Sequence, residues 1–427
     1  MAASRVALMG LSMTFFYKTN GQLVNTAIKG DEAMPEAFLV DGVRTPIGRY
    51  GGVLAGIRPD DLAAIVLASV VSRSGLDPTL LDEVVLGAAN QAGEDNRNVA
   101  RMAVLLAGLP DSVPGITVNR LCASGLAAVH LAANMIKAGE ADLVIAGGVE
   151  SMTRAPWVLA KPEKAFAKPG EIVDTSIGWR FTNPRLQARD KATFSMSETA
   201  EEVAALDGIS RADADTFALR SHRLALEAQR DGIFTPEIVG VPTRAGLIEI
   251  DEGPRADTTL ERLAGLRSVV RTGGIVTAGN ASSLNDGASA IVVASEAAIE
   301  RLGLTPRARV VGGASAGVAP ETMGLGPVPA TQKLLHRLGL TIGDVDAVEL
   351  NEAFATQSLA CIRRLGLDPE IVNRHGGAIA LGHPLGSSGS RILITLLGRM
   401  EREGAQRGVA TMCVGVGQGS SLLVERV

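Results

Sequence analysis

Short runs of Val, Ile, Leu, Ala and Gly recur between helix-like stretches from Ala37 to Gly147, and few folds accept that alternation. Ala37–Asp41, Glu83–Gly87, Gly115–Asn119 and Leu143–Gly147 read as strands with little or no polar face. Strands apolar on both faces belong in a sheet that is covered on both sides. The intervening stretches carry helix signals. Asp60-Asp61 opens Asp60–Ser74 with negative charge where a helix start favours it, and Gly75 is placed to close it. Asn98–Ala107 reads as a second helix. Gly125–Ala138 is apolar on most faces and reads as a buried third one. The pattern predicts an α/β fold, a mostly parallel sheet with helices on both sides. Aromatics make up 3% of the chain and glycines number 49, so small aliphatic side chains and closely approaching backbones must fill the core.

At 427 residues the chain exceeds the roughly 250–300 at which a single core stops growing. From Arg154 to Thr272 charge and proline rise and strands become hard to find. Ser197–Ala205 and Arg211–Arg230 read there as surface helices, in an excursion that covers something. Thr277–Ser295 returns to apolar sequence and is expected to rejoin the first sheet, with Leu304–Ala308 as a link to the second half. That second half echoes the first. Asn119-Arg120 precedes a Gly turn, an apolar helix, a charged end at Lys137–Glu140 and the strand Leu143–Gly147. Asn373-Arg374 precedes a Gly turn, the helix Leu385–Met400, the charged end Glu401–Glu403 and the strand Gly408–Cys413. That suggests two related halves. The expected division is 34–153 with 273–297, an inserted 154–272, and 298–427. Residues 1–33, with a fairly apolar Val6–Tyr17, read as a leader or start-site extension without fixed structure.

A formal net charge of -5 gives no reason to expect nucleic acid or a membrane surface as partner. No apolar run approaches the roughly 20 residues of a membrane-spanning helix. Cys122, Cys361 and Cys413 are far apart, with neither metal-site nor disulfide spacing, and read as free thiols in a reducing cytoplasm.

Three side chains have settings suited to chemistry. Cys122 lies in Asn119–Gly125 (NRLCASG), where a strand turns into a buried helix; a thiol at a helix start is expected to ionise more easily. A buried structural cysteine is the plain alternative. His383 lies in Gly376–Gly389 (GGAIALGHPLGSSG), a glycine-rich turn before an apolar helix, where it can take a proton from a nearby thiol. Cys413 ends a strand before alternating glycines, whose N–H groups can converge on one oxygen. Asn351, after the strand Ala347–Leu350, suits either a helix cap or a water held against a developing oxyanion. Cys361, in a helix-like stretch, reads as structural.

Together, NRLCASG, Gly147–Thr153 (GGVESMT), Asn351–Ala355 (NEAFA), Gly376–Gly389 and Cys413–Gly419 (CVGVGQG) resemble the thiolase family over roughly residues 36–427. The resemblance implies a thiolase-like fold of two similar βαβαβαββ halves with a loop domain inserted in the first, and an enzyme of the acyltransferase class. It implies Cys122 as nucleophile, His383 as its base, Cys413 as the second acid/base, and oxyanion donors from Asn351 through a water and from the N–H groups of Cys122 and Gly415. It also implies coenzyme A as co-substrate, with no metal or permanently bound cofactor. Ser282 and Met196 are expected along the pantetheine, Phe354 in the acyl pocket and Arg255 toward the nucleotide. A homodimer or homotetramer is expected. Ala89–Val118, Ile177–Phe181 and Ala314–Pro329 are most similar to the subgroup acting on 3-oxoadipyl-CoA, although Leu126-Ala127 replaces that subgroup's Met-Asp. An acetoacetyl-CoA thiolase and a broad-range 3-ketoacyl-CoA thiolase remain as alternatives. The second cysteine argues against a 3-oxoacyl-carrier-protein synthase, and the presence of Cys122, His383 and Cys413 argues against a non-enzymatic scaffold on the same fold.

Overall fold

The computed structural model describes residues 14–19, 22–27 and 35–427. The reading of 1–33 as a leader lies mostly outside the described residues; within it, Thr14–Thr19 pairs antiparallel with Gln22–Ala27.

The first half runs β1 (Ala37–Arg44), α1 (Pro59–Ser74), β2 (Glu83–Gly87), α2 (Val99–Leu106), β3 (Gly115–Val118), α3 (Ser124–Lys137), β4 (Leu143–Ser151) and, after a long excursion, β5 (Asn285–Ser295). The excursion includes α4 (Met196–Asp207) and α5 (Arg211–Arg230), each opened by a capping box, at Ser195/Glu198 and Ser210/Asp213. The second half runs β6 (Ala308–Gly317), α6 (Pro327–Leu338), β7 (Ala347–Leu350), α7 (Ala355–Leu365), α8 (Leu385–Glu403), β8 (Arg407–Val414) and β9 (Gln418–Arg426).

The strands order as β3-β2-β4-β5-β1 in the first half and β7-β8-β9-β6 in the second. Each order matches the other once Val372 is counted. It bridges β7 in parallel at Val348, as β3 pairs in parallel with β2. The two orders join into one sheet through β6 and β1, which share only Ala308↔Leu39 and Arg309↔Phe38. The sheet is mixed, not mostly parallel: only β3-β2-β4 and β7-β8 run parallel, and β4–β5, β5–β1, β8–β9, β9–β6 and β6–β1 run antiparallel. Apolar runs alone do not report strand direction. Each half closes with a strand that turns back, which no crossover helix announces.

Alternating side chains sort into layers. Val85, Val144, Ala146, Ile291 and Val293 from the first half, with Ala410, Met412, Leu422 and Val424 from the second, face α3 and α8 in one shared core. Val84, Leu86, Leu143 and Ile145 face α1 and α2. Val348, Leu350, Val409 and Leu423 face α6, α7 and part of α5. Arg211–Arg230 is therefore less of a surface helix than its charges suggest, since Ala214, Phe217, Ala218, Ser221 and His222 are buried.

The two central helices converge at their N-terminal ends because glycine permits it. A Cβ on Gly386 would fall on the carbonyl oxygen of Val149, and one on Gly125 would lie 2.7 Å from the carbonyl oxygen of Gly386. That crossing lies beside Cys122 and His383.

Candidate active site

The turn from β3 into α3 is held by short-range hydrogen bonds. The Leu121 N–H donates to Asn119 Oδ1 at 2.8 Å, and the Asn119 amide donates to the Ala89 carbonyl at 3.0 Å. Ser124 Oγ accepts from the Arg120 N–H at 2.9 Å and donates to the Leu121 carbonyl at 2.6 Å. These bonds hold Leu121 at φ 48°, a left-handed conformation costly for a branched side chain, and Cys122 follows it at the mouth of α3.

The turn from β8 to β9 faces it. Val416 is also left-handed, at φ 63°. The N–H groups of Gly415 and of Cys122 itself bear on the Cys122 sulfur and favour its charged form. Cys413 is 1% exposed and packs with Met196, Ala353, Phe354 and Met323. Met196 Sδ comes within 3.7 Å of where a Cβ on Gly415 would stand.

His383 is placed by groups from both halves. Its backbone N–H donates to Asn285 Oδ1 at 2.9 Å, at the start of β5. Its Nδ1 is 2.6 Å from Ser388 Oγ, and Ser388 gives its single proton to the Pro384 carbonyl at 2.8 Å. Nδ1 must therefore carry the hydrogen, which leaves Nε2 as a lone-pair acceptor. Asn351 Nδ2 lies 3.4 Å from that Nε2, and Asn351 Oδ1 is buried without a protein partner. A buried, unpartnered amide oxygen is suited to an ordered water.

Burial sets the protonation states. It pushes the Cys122 thiol up to about 11, opposed by the N–H groups of Gly415 and Cys122. Cys122 is only half-buried as a residue, yet protein atoms surround its sulfur, and the sulfur decides the titration. The expectation of a thiol that ionises more easily is thus reversed: withdrawal from water outweighs the helix start. Cys413 is raised well above an ordinary thiol by burial, and then by Cys122 and Cys361. Burial and then Arg391 lower His383 to about 3. These shifts favour two neutral thiols and a neutral imidazole at neutral pH, not a standing ion pair.

The motifs did not single out the side chains that brace this centre. Ser388, Asn285 and Glu150 do so. Glu150 is fully buried and pushed up to about 7 by that burial. Its carboxylate accepts from Ala89 N at 2.9 Å, Asn90 N at 3.0 Å and Gly386 N at 2.8 Å, tying β2, β4 and α8 at one point. Glu352 similarly accepts from Ser221 Oγ, Asn373 Nδ2 and the Ile379 N–H. Their signal was a polar residue inside an otherwise apolar or glycine-rich run.

The residues expected along the substrate divide. The Ser282 N–H donates to the Ala353 carbonyl at 2.9 Å and Ala281 bridges Phe354, so Ser282, Phe354, Met196 and Cys413 share one neighbourhood. Arg255 stands apart, exposed, with its backbone N–H donating to His222 Nδ1 at 3.2 Å. Cys361 is buried in α7 and donates to the Gly324 carbonyl. Among the described residues no cluster of His, Cys, Asp or Glu is arranged to hold a metal ion, and no helix is long and apolar enough to cross a membrane.

Comparison with known proteins shows the family. Residues 37–297 match the model of the thiolase N-terminal domain and residues 304–426 that of the thiolase C-terminal domain. The chain belongs to the thiolase family. It is 59% identical over 399 residues to a beta-ketoadipyl-CoA thiolase of Pseudomonas aeruginosa, covering 92% of this chain and 99% of that one. Among solved structures, the acetyl-CoA acetyltransferase of Bacillus anthracis superposes with a TM-score of 0.86 at 41% identity, covering 93% of this chain and all of that one. Human mitochondrial 3-ketoacyl-CoA thiolase in complex with CoA gives 0.87 at 37%, covering 92% and 98%. Thiolases are acyltransferases with coenzyme A as co-substrate, and the two similar halves described above are the thiolase fold.

Proposed function

We propose that this thiolase cleaves 3-oxoadipyl-CoA with coenzyme A, giving succinyl-CoA and acetyl-CoA. The single observation that carries the substrate is the identity of 59% to a thiolase named for that substrate, against 41% and 37% to thiolases named for others. Acetoacetyl-CoA or a broad range of 3-ketoacyl-CoA thioesters are the alternatives.

The reaction follows from the protonation states. As substrate binds, Cys122 passes its proton to His383 Nε2, and the sulfur attacks C3. The C2–C3 bond breaks and its electron pair stays on C2, as the enolate of acetyl-CoA. Cys413 protonates C2 and acetyl-CoA leaves. The Cys413 thiolate then takes the proton of the incoming CoA thiol. CoA attacks the succinyl thioester, Cys122 leaves as thiolate and recovers its proton from His383. The N–H groups of Cys122 and Gly415 are suited to the oxygen of the tetrahedral intermediates, and His383 with a water on Asn351 to the enolate oxygen. One such donor is typically worth about 10²–10³ in rate. A thioester intermediate is close in energy to the thioesters on either side, so neither step becomes a trap.

Ser282 and Met196 would line the pantetheine and Phe354 the acyl pocket. Arg255 is kept only for the far, nucleotide end. The division into 34–153 with 273–297, an inserted 154–272 and 298–427 assigns the nucleophile to the first part, its cover to the second, and the base and second thiol to the third. A cytoplasmic homodimer or homotetramer fits this reading. β3 is an open sheet edge, and Ile116 on it is exposed near Met102, Leu105 and Leu106 of α2.

The deciding experiment compares kcat/KM for 3-oxoadipyl-CoA, acetoacetyl-CoA and a longer 3-oxoacyl-CoA. Preference for the first supports the reading, and preference for acetoacetyl-CoA overturns it.

A further inference from the structure

A substrate that ends in a carboxylate needs a cation inside the acyl site, and this rests on the substrate reading above. Extended from Cys122, a succinyl group puts its carboxylate carbon about 5–6 Å from the sulfur, and a guanidinium nitrogen bonded to it about 3 Å further. The cation must therefore lie near the reaction centre, be partly withdrawn from water, and not be neutralised by the protein's own acids.

Few arginines meet those terms. Arg44, Arg58, Arg154, Arg211, Arg271, Arg307, Arg309, Arg364 and Arg399 are each held by an Asp or Glu. Arg391 is sealed in the core, 2% exposed, among Glu349, Glu237 and Asp251. Arg120 is beside the nucleophile in the chain, but its charge bears on His130, whose ring packs under Gly313 on the α3–β6 side. Arg180 remains.

Arg180 is half-buried in the inserted segment and has no carboxylate within ion-pair distance among the described residues. One nitrogen, Nη2, donates to Asn90 Oδ1 at 3.2 Å, and the rest of its five-donor guanidinium is uncommitted. Asn90 is fixed with unusual completeness. Its Nδ2 donates to the carbonyl and hydroxyl of Thr175, each at 3.1 Å, its Oδ1 also accepts from the Ala92 N–H, and its own N–H goes to Glu150. One residue before it, the Ala89 carbonyl receives the Asn119 amide that shapes the Cys122 turn. On the other side, Trp179 donates to the Phe194 carbonyl, two residues before Met196. The segment carrying Arg180 is thus pinned between the Cys122 turn and the Met196 wall.

We infer that Arg180 binds the terminal carboxylate of the acyl chain and sets the preference for a dicarboxylic substrate. Asn90 acts as its positioning residue, using a neutral oxygen that orients the guanidinium without cancelling its charge.

The test pairs 3-oxoadipyl-CoA with 3-oxohexanoyl-CoA, which has the same chain with a methyl in place of the carboxylate. Arg180→Gln is expected to lower kcat/KM on 3-oxoadipyl-CoA by about 10- to 100-fold, chiefly through KM, and to leave 3-oxohexanoyl-CoA within about threefold, the span of one charge-assisted contact. Arg180→Lys should fall between, since it keeps the charge and loses the fork. An equal fall on both substrates, or none on either, overturns the assignment. A wild-type enzyme that prefers the dicarboxylate while Arg180→Gln keeps that preference sinks the role of Arg180 alone. A wild-type enzyme without that preference sinks the substrate reading.

Discussion

The two halves share an order of strands and helices, yet they bring different groups to the centre. In both, a central helix starts at the meeting point. At the start of α3 stands Cys122, delivered by a tight turn with a strained Leu121. At the corresponding start of α8 stands His383, delivered by a longer stretch whose third strand has shrunk to the Val348–Val372 bridge. The last strand pair differs more. β4 and β5 are separated by the whole excursion that carries Met196 and Arg180, whereas β8 and β9 are joined by Gly415–Gly417. The framework thus fixes where side chains can meet, and connection length decides whether a half contributes cover or a rigid donor.

The sharpest division of labour is between the two thiols. Cys122→Ala should abolish the acyl-enzyme and lower turnover by about 10⁴-fold or more. Intact mass after incubation with 3-oxoadipyl-CoA reads this, and an adduct surviving on the variant would give the nucleophile to the other half. Cys413→Ala should still become acylated while turning over about 10²–10⁴-fold more slowly. Near-normal turnover would leave the second half with the base alone. Ser388→Ala removes the group that keeps the His383 hydrogen on Nδ1, and a loss of about 10- to 100-fold in kcat with little change in KM is expected. Iodoacetamide labelling of Cys122 should climb about tenfold per pH unit well above neutrality, because its thiol is raised to about 11 and only the thiolate reacts. A plateau already reached near pH 7 would restore the helix start as the dominant influence. Smallest of all, Val416→Gly should shift stability by no more than about 1 kcal/mol in either direction, since relief of the left-handed backbone is offset by a freer unfolded chain. Urea unfolding measures it, and a loss well beyond that would mean the Val416 side chain, not the turn, holds the second half's donor in place.

Much of this was legible in the residues because apolar runs mark buried strands and helices directly. Glu83–Gly87, Arg211–Arg230 and Ala347–Leu350 emerge with the limits read from sequence, and the echo between the halves is the repeated topology itself. β6 does not announce itself, since beyond Val310 and Val311 it is mostly glycine, alanine and serine, without the branched side chains typical of a strand. Strand direction was misread for want of any local sign. Cys122, His383 and Cys413 stood out because reactive residue types sat beside glycine turns. The thiol's raised pKa did not, since it arises from burial of the sulfur where segments far apart in the chain pack together. Ser388 and Glu150 were hidden for the same reason: their roles are relations between distant segments.

The seam between β6 and β1 consists of two residue pairs, and most of the contact between the halves runs through α3 and α8. Cys122 and His383, the proposed nucleophile and base, therefore reach one another across a docking surface and not along a continuous chain. A cut within Gly303–Arg307, between the short helix Glu296–Leu302 and β6, would leave both central helices intact. Turnover of the two fragments mixed at rising concentration would then follow an association curve, making catalysis itself the gauge of how tightly the halves recognise each other.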